Sequence, residues 1–165
     1  MTVAAVIQMS SQADFPANLL RAEELVMAAK GRGATLMLLP ENFALMGEEA
    51  QRRDIAERID VASPGPILAA IQKAARRADA TIIAGGFPER SEDEMRPFNT
   101  SLVVDDRGEI IAKYRKIHLF DVDVGDGVSY RESSATTRGE EVVVASAHGL
   151  SIGLSVCYDQ IGRAH

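Results

Sequence analysis

At 165 residues the chain is long enough for one domain with a real core, and 46% apolar with 25% charged residues is an ordinary globular composition that argues against disorder. A formal net charge of −6, with basic residues interleaved among acids, gives no footprint for nucleic acid, and no apolar run approaches the roughly 18 residues that a bilayer span needs. The single cysteine, Cys157, rules out an intramolecular disulfide, and no charged segment followed by an apolar one opens the chain, so a reducing cytoplasm is the expected home.

Thr2 to Met9 is β-rich and almost unbroken in apolar character, which predicts a buried strand. Asp14 then caps a predicted helix from Phe15 to Lys30, in which Leu19, Ala22, Val26 and Ala29 recur at helical spacing and Gly31 or Gly33 stops it. Ala34 to Leu39 predicts the next buried strand, ended by Pro40. A charged amphipathic helix is expected from Glu48 to Ile59, followed by the breaker Ser63-Pro64-Gly65-Pro66, a helix from Ile67 to Ala78 and a strand from Thr81 to Gly85. From Asn99 the pattern changes. Thr100 to Val104 and Glu109 to Tyr114 flank Asp105-Asp106-Arg107-Gly108 as a hairpin, and Val142 to Ala145 and Ser151 to Val156 pair around His148-Gly149. The order predicts a mixed α/β layered domain whose final strand leads to Cys157.

A free cysteine is most often a buried core thiol. Cys157, however, stands where an apolar strand gives way to Tyr158-Asp159, a place where a thiol can face a cleft and the next backbone N–H can meet a developing oxyanion. Glu41 follows Leu38-Leu39-Pro40 at another strand exit, and Lys116 closes Lys113-Tyr114-Arg115-Lys116. Each alone reads as a solvated end. Together they form a nucleophile, an acid/base and an electrophile.

Leu39-Pro40-Glu41-Asn42-Phe43, Tyr114-Arg115-Lys116-Ile117-His118-Leu119-Phe120-Asp121 and Ser155-Val156-Cys157-Tyr158-Asp159 resemble, in that order, the three signatures of the nitrilase superfamily of carbon–nitrogen hydrolases. Within it the chain most resembles the Nit branch, the omega-amidase and deaminated-glutathione amidase relatives. The resemblance runs from Val3 to Asp159 and carries the catalytic Glu onto Glu41, the Lys onto Lys116, the nucleophile onto Cys157 and a second Glu onto Glu132. It implies an incomplete αββα sandwich with a mixed sheet and helices outside. It also implies hydrolysis of a small linear carboxamide through a thioester, with the Tyr158 backbone N–H at the oxyanion and no cofactor or metal. Nitrile or N-carbamoyl hydrolysis by the same residues are alternatives, as is an inactive fragment that associates with relatives. Full-length relatives imply a homodimer or higher homo-oligomer.

Other patterns read as structure. Asp121 to Glu132 mimics a calcium loop but has the wrong fifth and sixth positions, Gly31-Arg32-Gly33 is a helix stop, His118 is a structural hydrogen-bonder and His148 a turn residue. Residues 1–159 are expected to be the N-terminal part of the domain. Gln160-Ile161-Gly162-Arg163-Ala164-His165 is expected to be a non-native tail, because CAG ATC GGA AGA GCA CAC is a permitted coding of it and contains the opening of a widely used sequencing adapter; a genuine truncated paralogue is the alternative.

Overall fold

The computed structural model describes residues 1–125 and 127–162. At its centre is a five-stranded sheet in the order β1-β2-β3-β4-β5, formed by Ala4–Val6, Leu36–Leu38, Thr81–Glu89, Phe98–Val104 and Ile110–Arg115. The first three strands are parallel and therefore need crossovers, which α1 (Phe15–Gly31) and α3 (Pro66–Ala78) supply, with the short α2 (Glu49–Asp54) between them. From β3 to β5 the strands form an antiparallel meander.

Local chemistry sets these boundaries. The Asp14 carboxylate accepts the Ala17 N–H at 3.0 Å and starts α1, while Gly33, with φ of +85°, turns the chain past its end. Gly65 cannot cap α3 with a side chain, so Glu57 does so from ten residues upstream: its two oxygens accept the Ile67 and Leu68 N–H groups at 2.9 and 2.7 Å. Burial pushes the Glu57 carboxyl above its usual range despite those two donors. This also explains why the helix expected over Glu48 to Ile59 stops at Asp54: Ile55 to Glu57 leave it so that Glu57 can bridge to Glu89 and reach α3.

Alternation along β3 and β4 divides the core. Ile82, Ala84, Leu102 and Val104 pack on Val26 of α1 and on Leu68, Ile71 and Ala75 of α3, whereas Ile83 and Val103 join Tyr114, Ala145, Leu154 and Val156 on the opposite face. Each fully buried Leu or Ile stabilises the helix face by about 1.5–3 kcal/mol, and Leu68→Ala would cost about 2–5 kcal/mol. The second face is covered in part by the hairpin β8 (Val144–Ala147) and β9 (Leu150–Gly153), whose turn residues His148 and Gly149 both have positive φ, at 53° and 74°.

Several expectations shift. The run Thr2 to Met9 shortens to an edge strand with Val6 82% exposed, because β1 has a sheet neighbour only in β2 among the described residues. The strand expected to reach Val156 ends at Gly153, so a three-residue link leads to Cys157, which opens a turn. The stretch from Asp121 is a second hairpin, β6 (Asp121–Val124) and β7 (Val128–Arg131), followed by one tight helical turn over Glu132–Ser134. Asp159–Gly162 forms α4; of the tail expected to be non-native, residues 163–165 lie outside the described residues. No helix of the described residues is long and apolar enough to cross a membrane.

Candidate active site

Glu41 is delivered just beyond β2 by a loop that folds back over β3. Gly85 lets the loop in: a Cβ there would lie 2.4 Å from the Pro40 carbonyl. Asn42, with φ of 58°, takes the left-handed turn that Asn tolerates, donates its N–H to the Gly86 carbonyl at 2.8 Å and holds Arg52 through its side chain. The turn holds the segment that carries Glu41 against β3.

Lys116 follows β5 on the same side as Tyr114, and its side chain is only 2% exposed. A bare ammonium there would be strongly disfavoured. It is instead bracketed by carboxylates, with Nζ 3.1 Å from Glu41 Oε1 and 3.1 and 2.9 Å from the two oxygens of Glu132. Burial alone would lower the lysine pKa, but Glu41 and Glu132 outweigh it and hold Lys116 above its ordinary value. Glu132 is itself held by the Phe120 N–H, which donates to Oε2 at 2.6 Å.

Cys157 sits on a turn with φ of 48°, uncommon for a residue with a Cβ and placing the thiol at the head of a sharp bend. Partial burial pushes the thiol pKa up, the Glu41 carboxylate adds to the rise and Lys116 opposes it. A neutral thiol beside a carboxylate can act as a nucleophile only once a base takes its proton. Cys157 and Glu41 line one cleft of about 300 Å³, whose walls include Leu39, Gly86 and Val156. The Tyr158 N–H makes no hydrogen bond among the described residues, and its ring packs edge-on against Phe120 at 5.2 Å.

Asp159 ties the cysteine turn to the lysine strand. Fully buried, it accepts from Tyr114 Oη at 2.6 Å and the Val156 N–H at 2.9 Å through one oxygen, and from the His118 N–H at 2.8 Å through the other, which also lies 3.0 Å from His118 Nδ1. Burial would raise this carboxyl, but Tyr114 and the two backbone donors hold it below the usual range. The clasp therefore grips the residues two before and two after Lys116 and the one before Cys157.

Glu41, Lys116 and Glu132 are thus in direct contact, with Cys157 and the Tyr158 backbone beside them. Two further residues at the site were not singled out from sequence: Asp159, and Asn99, whose amide donates to Glu41 Oε1 at 2.7 Å. The available signal for Asn99 was an Asn at the mouth of a strand, where that residue type is depleted. Among the described residues no group of three or more His, Cys, Asp or Glu side chains is arranged to hold a metal ion.

A family profile described as carbon-nitrogen hydrolase matches residues 3–162, nearly all the described chain. The chain belongs to the carbon-nitrogen hydrolase family. Curated relatives of this hydrolase include deaminated glutathione amidase of Synechocystis, 39% identical over 95% of the chain, and a chloroplastic omega-amidase of Arabidopsis thaliana, 35% identical over 92%. The chain spans 57% and 41% of those relatives' own lengths. Among solved structures, the Caenorhabditis elegans NitFhit protein aligns with 94% of the chain at a TM-score of 0.83 and 29% identity, covering 38% of that protein. Saccharomyces cerevisiae Nit3, described as a member of branch 10 of the nitrilase superfamily, aligns at 0.77 and 28%, with 94% of the chain and 56% of Nit3 covered. The mixed sheet with outer helices is therefore the nitrilase-type fold.

Proposed function

We propose that this hydrolase chain forms the N-terminal part of a cytoplasmic amidase that converts a small linear ω-amide to a carboxylic acid and ammonia through a thioester on Cys157. The observation that carries the reading is the buried Lys116 ammonium between Glu41 and Glu132, beside a raised-pKa thiol on a strained turn. Glu41 takes the thiol proton as sulfur attacks the amide carbon. The carbonyl π electrons move to oxygen, where Lys116 and the Tyr158 N–H stabilise the charge. Collapse expels ammonia, which receives its proton from Glu41. Water, deprotonated by the same carboxylate, then cleaves the thioester and restores the thiol. Glu132 holds Lys116 in place, and the full-length protein assembles as a homodimer or higher homo-oligomer.

Ammonia release from small ω-amides by full-length protein, in which this chain is followed by the C-terminal half its relatives carry, tests the reading. Turnover that disappears in Cys157→Ala and Glu41→Gln, with folding intact, is the expected result. Normal turnover in either variant would remove that residue from its role. A second reading is favoured by the exposure of Val6 and Leu38 on the sheet: the 165-residue chain by itself is inactive and at most associates with full-length relatives.

A further inference from the structure

We propose that Asn99 is a positioning residue that fixes one oxygen of Glu41 so that the other serves the Cys157 thiol, an inference that rests on the amidase reading for the roles of Glu41 and Cys157. Alternation along β4 places Asn99, Ser101 and Val103 on the face that carries Tyr114 and Lys116. Asn99 and Lys116 are cross-strand neighbours, with the Lys116 N–H donating to the Asn99 carbonyl at 2.8 Å. From there Asn99 Nδ2 donates to Glu41 Oε1 at 2.7 Å and lies 3.5 Å from Glu132 Oε1. Lys116 Nζ binds that same Oε1 at 3.1 Å, so both of its donors hold one oxygen of Glu41.

The cost of this arrangement shows what it is for. Asn99 is 1% exposed, and its Oδ1 has no hydrogen-bond partner among the described residues. An orphaned buried acceptor costs about 1–3 kcal/mol, and turning the amide over would only set Oδ1 against the Glu41 carboxylate. The fold also makes room for it. A Cβ on Gly86 would fall 2.0 Å from Asn99 Oδ1, and the register shift between Ala84 and Phe87 lies at this point of the β3–β4 pair. A glycine, a strand irregularity and an unpaired amide oxygen all serve one donated hydrogen bond. The charged or titratable groups facing it are Glu41, Glu132, Lys116 and Cys157.

In the full-length protein, Asn99→Leu is expected to lower kcat on a small ω-amide by about tenfold to a hundredfold with little change in KM, the scale of a lost hydrogen bond to a charged group. Asn99→Asp is nearly isosteric but sets a second carboxylate against Glu41, and the pair regains a donor only when it shares one proton. The ratio of its rate to wild type should therefore climb as pH falls, while the Asn99→Leu ratio stays flat. Gly86→Ala, whose Cβ would displace the amide without removing it, should lower kcat in the same sense. This keeps a test in hand if Asn99→Asp does not fold. Alkylation of Cys157 by iodoacetamide, read by mass spectrometry of its peptide, should give the same ratios without amide turnover. A wild-type protein that alkylates yet hydrolyses no ω-amide would sink the function reading alone, and the alkylation ratios would still decide this one. Wild-type rates in Asn99→Leu, or flat and equal ratios for the folded Leu and Asp variants, would overturn it.

Discussion

Cys157 holds a backbone conformation that costs about 1–3 kcal/mol, so something must impose it. Asp159 does, through the Val156 N–H, while its other contacts run to Tyr114 and His118 around Lys116. Asp159→Asn keeps the shape but replaces an oxygen acceptor by a donor, leaving a buried N–H unpaired. It is expected to lower stability by about 1–3 kcal/mol, read by thermal unfolding, and to slow Cys157 alkylation as the thiol drifts from Lys116. Unchanged melting and alkylation would mean that the turn holds itself. Lys116→Arg should be nearly as damaging to turnover as Lys116→Ala, because a planar guanidinium cannot occupy a pocket that meets two carboxylates with one compact ammonium. Near-normal kcat in Lys116→Arg would reduce Lys116 to a source of field. At this scale the sequence pointed to Glu41, Lys116 and Cys157 because short motifs with distinctive chemistry carry them, and to Glu132 only through the family resemblance. Asn99 was not legible, since its meaning depends on which residue lies across from it in the sheet, and Asp159 was read only as the end of a motif.

At the scale of elements, α1, α3 and the meander were legible in outline because caps, breakers and apolar spacing agreed there. The β6–β7 hairpin was not: its strands are largely exposed, so no apolar alternation marks them, and Asp121 and Asp123 suggested a loop. Elements are also joined by buried carboxylates, whose titration sets the acid stability. At Glu89, burial would raise the carboxyl, but Arg115, Thr100 and Lys113 hold it below the usual range, as Tyr114 and backbone donors do at Asp159. Depressed folded values contribute stability that is present above the unfolded carboxylate pKa of about 4 and is lost as pH falls through the folded ones. Glu57, with a raised value, acts oppositely, contributing stability that is full below the unfolded value and lost as pH rises through the folded one. Melting temperature should therefore fall on acidification below about pH 4, and Glu89→Gln should flatten that fall. An acid slope unchanged by the substitution would contradict the assignment.

For the whole molecule, the balance of covered and open sheet is the main feature. Helices bury one face, whereas Val6 at 82%, Val144 at 62% and Leu150 at 48% exposure leave apolar groups in water. Expressed alone, residues 1–165 should associate and release no ammonia from ω-amides, since exposed apolar surface and an open edge favour self-pairing and a catalytic site needs a packed surround. A monomeric, active product, seen by sedimentation and assay, would show the chain to be sufficient. The most direct measurement of the account is an acid-quenched mass spectrum of the Cys157 peptide taken while full-length protein turns over a small ω-amide. A mass increase on Cys157 equal to the acyl group, appearing with released ammonia and absent in Glu41→Gln, is the predicted result. Steady ammonia release with Cys157 unmodified throughout, and undiminished in Cys157→Ala, would contradict it.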